Sequence, residues 1–393
     1  MNIKRQIAII CFKYPPRYSG YGQQLKSVLL KVNKINPKFQ VVLLTAYSDS
    51  KIEENTLLRI IPLGSKKEIS EKYNFYIFCL NLFFWLVKNR NEYQIIHCIK
   101  AGPEAIIANT ISKYFKKRLI VKIAQDELSD NELNGLKGIK YCMRKFRHYL
   151  LKNVDKYIAI SEEIEKNLIC KVSSSTEIIR LPNGVDIITN YPLTNIDDMV
   201  FLRNFLGLPQ ADIILLFVGA INKRKGVFDL LNALDKIDIC PVSVSLIICG
   251  PLLEKIDFFK LVDKIKQKQN NIQITYKGKV NNVTQYMQAA DIFILPSHSE
   301  GLPNVLLEAA ACGLGLIATD IGGNRDVVID RETGILVSTN DNDSLKEKII
   351  SLIENKYYRK KLGSNARMRI EEIFSIEKIA EKYIEIYESM LDN

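Results

Sequence analysis

Residues 299–308 read SEGLPNVLLE, so Glu300 and Glu308 stand on either side of a turn made by Gly301, Leu302, Pro303 and Asn304. A carboxylate in an apolar run is costly unless it has partners, which are either protein cations or a ligand. Vicinal hydroxyls suit a carboxylate well, so ribose and a hexose ring are natural partners for this pair. The strand-like DIFILPS before the turn ends near Leu295. The segment after it reads as a helix, with Pro303 as its first residue and Gly313 as its stop. Free N–H groups at such a helix tip make an anion site, and a diphosphate fits there. Without a ligand, Glu300 would cap the helix and Glu308 would pair with a lysine or arginine.

A second cluster follows Gly219 in GAINKRKGVFDLL, where Lys223, Arg224 and Lys225 make a basic loop between a strand and a helix that begins near Val227. Cations at that edge would neutralise a diphosphate leaving group; otherwise the loop is a solvated basic turn. In PPRYSGYGQQ, Gly20 and Gly22 either let backbone approach a ligand or simply make a tight turn. Of the three histidines, His97 reads as a structural residue at a strand end, His148 as a surface residue, and His298 as a neighbour of Glu300.

Short Ile- and Val-rich runs must carry these loops. RQIAIICF, FQVVLLTAY, QIIHCI, RLIVKIA and KYIAIS alternate with amphipathic stretches in the first half, as do DIILLFVGA, SVSLIICGP, IQITYKG, DIFILPS and LGLIATD in the second. The alternation predicts an α/β chain of two doubly wound, Rossmann-like parallel-sheet domains facing across a cleft, with ligands beyond the strands' carboxyl ends. Pro, Asn, Gly and Asp cluster at 181–198 as a linker. We expect one domain over 1–190, joined by a C-terminal helix within 376–393, and a second over 191–375.

The chain resembles the family-4 (group 1) retaining glycosyltransferases of the GT-B fold. The resemblance rests on the double-glutamate block and on LIATDIGGNRDVV after it, with Asp326 where the family more often has Glu. PNGVD at 182–186, KYIAISEEIEKNL at 156–168 and ADIFILPS at 290–297 are similar as well. It implies that Glu308 binds the nucleotide ribose, that Glu300 contacts the transferred sugar, and that Gly301, Leu302, Pro303 and Asn304 hold sugar and phosphate. Lys225, with Arg224 nearby, would clamp the leaving diphosphate beside Gly219, and Gly20 and Gly22 would lie beside the donor phosphates. Ala220 replaces the family's usual Arg, and Gln125 and Asp126 stand where many members have a His.

The implied reaction is a retaining transfer of a hexose or N-acetylhexosamine from a nucleotide-sugar, UDP- ahead of GDP-, to a glycan acceptor carried on a lipid. It would pass through an oxocarbenium-like state, with the leaving diphosphate taking the acceptor's proton. No cofactor and no metal are expected, since no D-x-D stands between two apolar strands. A sugar phosphorylase or epimerase on the same architecture, or an inactive glycan-binding subunit, are the alternatives.

At 393 residues, 47% apolar and 25% charged, the composition is that of a soluble protein large enough for two domains. None of the eight cysteines forms a C-x-x-C pair, and several lie in apolar runs, which fits a reducing cytosol. The basic start MNIKRQIAIICF is too short in its apolar part for a secretory signal. Tyr73 to Asn89 is very apolar but shorter than the ~18–20 residues that cross a bilayer, and reads as a buried helix or, less simply, an interfacial one. Residues 1–195 hold 31 Lys and Arg against 17 Asp and Glu, a balance of +14 within a total of +11. Such a half suits an acidic partner, such as an anionic membrane at the inner face of the cell or a phosphorylated acceptor. Nucleic acid is not expected, because no basic helix with interleaved aromatics is present.

Overall fold

The computed structural model describes residues 6–17, 19–47, 58–65, 67–125, 127–129, 132–209, 211–237, 242–268 and 271–391. Asp126 lies outside them. The chain divides into two compact units: Met1–Gly184 with Ile376–Asn393, and Val185–Ser375.

The first unit contains β1 (Gln6–Ile10), α1 (Gly20–Ile35), β2 (Gln40–Thr45), β3 (Leu58–Pro62), α2 (Glu71–Lys88), β4 (Ile95–Cys98), α3 (Pro103–Tyr114), β5 (Arg118–Ile123), α4 (Gly138–Leu150), β6 (Lys156–Ala159), α5 (Glu162–Ile169) and β7 (Glu177–Arg180). Its strands form one parallel sheet in the order β3-β2-β1-β4-β5-β6-β7. The second unit contains α6 (Ile196–Phe205), β8 (Ile213–Val218), α7 (Val227–Asp235), β9 (Val244–Cys249), α8 (Lys255–Lys266), β10 (Ile272–Gly278), α9 (Val283–Ala289), β11 (Ile292–Leu295), α10 (Asn304–Ala311), β12 (Gly315–Thr319), α11 (Gly322–Val327), β13 (Ile335–Val337), α12 (Asn342–Glu354) and α13 (Lys356–Arg369). Its parallel sheet runs β10-β9-β8-β11-β12-β13. Helices cover both faces of a doubly wound sheet, so β1 and β8 are buried almost throughout and their sequences are unbroken apolar runs.

α14 (Ile376–Leu391) follows the second unit in sequence but belongs to the first. Its stripe of Ile376, Ile379, Tyr383 and Tyr387 shares a core with Leu29, Val32 and Phe39. Asn36 Nδ2 donates to Glu388 at 3.1 Å, and Lys31 pairs with Glu377. Under this helix lies a buried polar network. His97 Nδ1 sits 2.8 Å from the Tyr387 hydroxyl, and Lys122 Nζ donates to Asn183 Oδ1 at 3.1 Å and to the Tyr383 hydroxyl at 3.2 Å. Burial lowers Lys122 to about 8 and, with Lys122 nearby, His97 to about 3. His97 is therefore a neutral structural residue.

Two expectations change here. Tyr73 to Asn89 is not a buried helix: α2 buries Asn74, Phe78, Leu82 and Leu86 and exposes Tyr73, Tyr76, Leu80 and Phe84. Its internal asparagines serve neighbouring backbone, Asn81 donating to the Leu63 carbonyl at 2.8 Å and Asn74 accepting from Ser65 N at 2.7 Å. His148 is not a free surface residue either; its Nε2 lies 2.9 Å from a Glu132 carboxylate oxygen.

Candidate active site

The turn from β11 into α10 carries the double-glutamate block. Pro303 is the N-cap residue and α10 begins at Asn304, one residue later than expected. Pro303 offers no side-chain oxygen, so the N-cap residue itself makes no side-chain cap. Cys312 and the left-handed Gly313 (φ 71°) end the helix as anticipated.

A short turn at Lys223–Lys225 brings the basic loop against this segment. Asn222 opens the turn, its Oδ1 accepting from Lys225 N at 3.0 Å. Gly226 follows with φ 69°, and a β-carbon there would lie 1.8 Å from the Pro296 carbonyl oxygen, so no other residue allows the two loops to close up. They are then stitched together. His298 N donates to the Arg224 carbonyl at 2.9 Å, and Arg224 Nη1 donates to the Ser299 carbonyl at 2.8 Å. Lys225 Nζ lies 2.5 Å from Glu300 Oε1, while Arg224 Nη1 stands 3.9 Å from the other oxygen. Glu300 is 7% exposed in its side chain and Lys225 16%, so this pair is shielded from solvent.

Glu308 differs. Its carboxylate makes no hydrogen bond or ion pair among the described residues, and burial pushes its carboxyl up to about 7. Among the described residues, the cation expected to neutralise it in a ligand-free account is not found. Lys223, Arg224, Lys225, Glu300 and the Gly301–Asn304 turn thus come together at the carboxyl edge of the second sheet, with Glu308 further along α10. Gly219 closes β8 beside them: a β-carbon there would meet the Lys225 stem at 3.7 Å.

Gly20 and Gly22 belong to the first unit. Gly22 is buried, and a β-carbon on it would lie 2.2 Å from the Lys13 carbonyl oxygen. Its bareness therefore serves packing of the first turn of α1, which Ser19 caps by accepting from Gly22 N at 3.0 Å. Gly20 is the exposed first residue of that helix.

Three supporting residues were not anticipated. Asp229 Oδ2 holds His298 Nε2 at 2.7 Å, which turns that ring toward α7. Thr319 Oγ1 donates to the Ser297 carbonyl at 2.5 Å, and Asn324 Nδ2 donates to the Thr319 carbonyl at 2.9 Å, so the LIATDIGGN segment braces the loop from behind. Asp229 carried a readable signal, an acid in the first turn of a helix after a basic loop; Thr319 looked like an ordinary strand residue.

In the first unit, Glu104 in the first turn of α3 is another buried carboxyl. It is 6% exposed, its Oε2 has no hydrogen-bond partner, and burial pushes it up to about 7. Among the described residues no three His, Cys, Asp or Glu side chains gather as a metal cluster would.

Residues 198–369, which include Gly219, the basic loop and the double-glutamate block, match the family model of the glycosyl transferases group 1. The second unit is thus similar to the group 1 glycosyl transferases. An uncharacterized glycosyltransferase of Methanocaldococcus jannaschii is 28% identical over 96% of this chain and 97% of its own. The capsular polysaccharide biosynthesis glycosyltransferase CapM of Staphylococcus aureus is 27% identical over 74% of this chain and 75% of its own. Among solved structures, Anabaena HepE in complex with UDP-glucose superposes with a TM-score of 0.74 at 19% identity, covering 98% of this chain and 99% of that one. The chain therefore has the GT-B fold, with two parallel-sheet α/β domains of seven and six strands among the described residues.

Proposed function

We propose that the protein is a retaining, metal-independent hexosyltransferase. It moves a hexose or N-acetylhexosamine from a UDP-sugar to a lipid-linked glycan acceptor during surface polysaccharide synthesis, working at the inner face of the cell membrane. The observation that carries the reading is the pairing of Lys225 with Glu300 at the tip of α10, with the Glu308 carboxylate unpaired among the described residues further along the same helix. The capsular relative supports the choice of pathway class, and the neighbour solved with UDP-glucose supports the donor.

In this mechanism the α10 tip and Lys225 receive the diphosphate, and Arg224 supplies the second cation that Ala220 does not. Positive charge placed where the leaving group develops negative charge lowers the barrier more than it favours the bound donor. Glu300 shares its charge between Lys225 and the sugar hydroxyls, which holds the sugar at a fixed angle to its leaving group. Glu308 accepts from the ribose hydroxyls. The acceptor hydroxyl attacks the anomeric carbon on the face that the diphosphate leaves, and its proton passes to the diphosphate, so no protein base is required.

The deciding experiment is nucleoside diphosphate release from a panel of UDP- and GDP-sugars, with and without lipid-linked acceptors and with EDTA present. Release of UDP that depends on acceptor and survives EDTA supports the proposal, and product NMR reports the anomeric configuration. Calorimetry that finds no UDP or GDP binding, together with no release, would instead leave an inactive glycan-binding subunit.

A further inference from the structure

We propose that the outward face of α4, seconded by that of α2, docks on an anionic lipid bilayer. This rests on the reading of the acceptor as membrane-borne and names the surface that meets the membrane.

α4 is mounted inside out. A helix on a soluble domain ordinarily turns its apolar stripe to the core. Here Ile139, Met143 and Phe146, which share a face through spacings of four and three, are 79%, 67% and 59% exposed. The buried α4 residue is Arg147. The helix is held to the body by its charged side, because Arg144, Arg147 and His148 all converge on the Glu132 carboxylate. Drawing Arg144, Arg147 and His148 to the half-buried Glu132 carboxylate leaves the apolar stripe to something outside the chain.

Charge selects the occupant. Between Glu132 and Asp155 the sequence has six Lys and Arg and no acid. Lys137, Lys140, Lys145 and Lys152 are all exposed. Apolar residues in the middle with lysines around them describe an interfacial helix that sinks into the headgroup boundary. A second copy of this chain would bring the same lysines against one another, which costs affinity. The layer around α4 agrees. α3 packs between α4 and α2. α2 turns outward Tyr73 (66%), Tyr76 (59%), Leu80 (59%) and Phe84 (61%), the amphipathic rings that favour the membrane–water boundary. Among the described residues no helix is long and apolar enough to cross a membrane, so docking would be on the surface.

The test is flotation of the full chain with phosphatidylcholine vesicles, with and without phosphatidylglycerol. Binding is expected only with phosphatidylglycerol and should weaken as salt rises. Lys140→Glu with Lys145→Glu should weaken it by at least about fivefold per lysine. Met143→Glu with Phe146→Glu should abolish it, with circular dichroism and UDP binding unchanged. Phe146→Trp should be quenched by brominated lipid above the background of the single native tryptophan, Trp85. The inference falls if wild type does not float at low salt, if neither double variant alters flotation, or if sedimentation shows a dimer that Met143→Glu with Phe146→Glu dissolves. A chain that binds UDP but not vesicles overturns the docking surface alone. One that floats yet neither binds nor releases nucleotide overturns the transferase reading alone.

Discussion

Lys225 Nζ and Glu300 Oε1 stand 2.5 Å apart, largely out of solvent, so the cation and the carboxylate at the tip of α10 neutralise one another. If both act on the donor, Glu300→Ala and Lys225→Ala should each lower kcat by about 10²- to 10³-fold. Because they act as one unit, the double variant should lose far less than the product of the two. A pair that is only structural would lower the melting temperature and leave kcat alone, and steady-state kinetics beside a thermal melt separates the outcomes.

Glu308 should make nucleotide binding depend on pH. Its carboxyl is raised to about 7 by burial, whereas ribose hydroxyls donate best to the ionised form. UDP affinity should therefore be higher at pH 8 than at pH 6, with protons released on binding. Glu308→Gln should bind UDP more weakly and without that pH slope. Calorimetry in buffers of different ionisation enthalpy reads both quantities.

Glu104 should be a stability liability above neutral pH. Its folded value of about 7 lies above the usual 4.5, so the stability it contributes is full below pH 4.5 and is lost as pH rises through 7. Glu104→Gln keeps the shape without the charge. It should stabilise the protein by about 1 to 3 kcal/mol at pH 8 and by little at pH 4.5, as read by urea unfolding.

Lys122 gives the opposite slope. Its folded value of about 8 lies below the ordinary 10.5, so the unfolded chain holds the proton more firmly between those pH values. Stability attributable to Lys122 should rise with pH from 8 to 10.5. Lys122→Met should remove that rise, which the difference between wild-type and variant unfolding curves would show.

The buried strands were legible because a strand covered on both faces is apolar at every position: LIATD, DIFIL and DIILLFV declare themselves. The strands that were missed, β3, β7 and β13, are all sheet edges. An edge strand is covered less, so its sequence is mixed, as in LRIIP and EIIR. At the site, the acids, the cations and the helix stop could be read from residue type and spacing, because each depends on local chemistry. The Lys225–Glu300 pairing could not, since it joins positions that only Gly226 and the sheet bring together. Helix orientation was the least legible feature. α2 looked buried because its composition is apolar, yet composition does not say which side of a helix the sheet will take.

The return of α14 has a consequence for biogenesis. Ile376, Tyr383 and Tyr387 complete the core of the first unit, yet a ribosome makes them only after all of Val185–Ser375. The nascent amino-terminal half must wait, with Leu29, Val32 and Phe39 lacking their cover, while the second unit can mature as it emerges. Order of synthesis and order of completion are thus reversed, and the waiting half is where a chaperone would be expected to hold the chain.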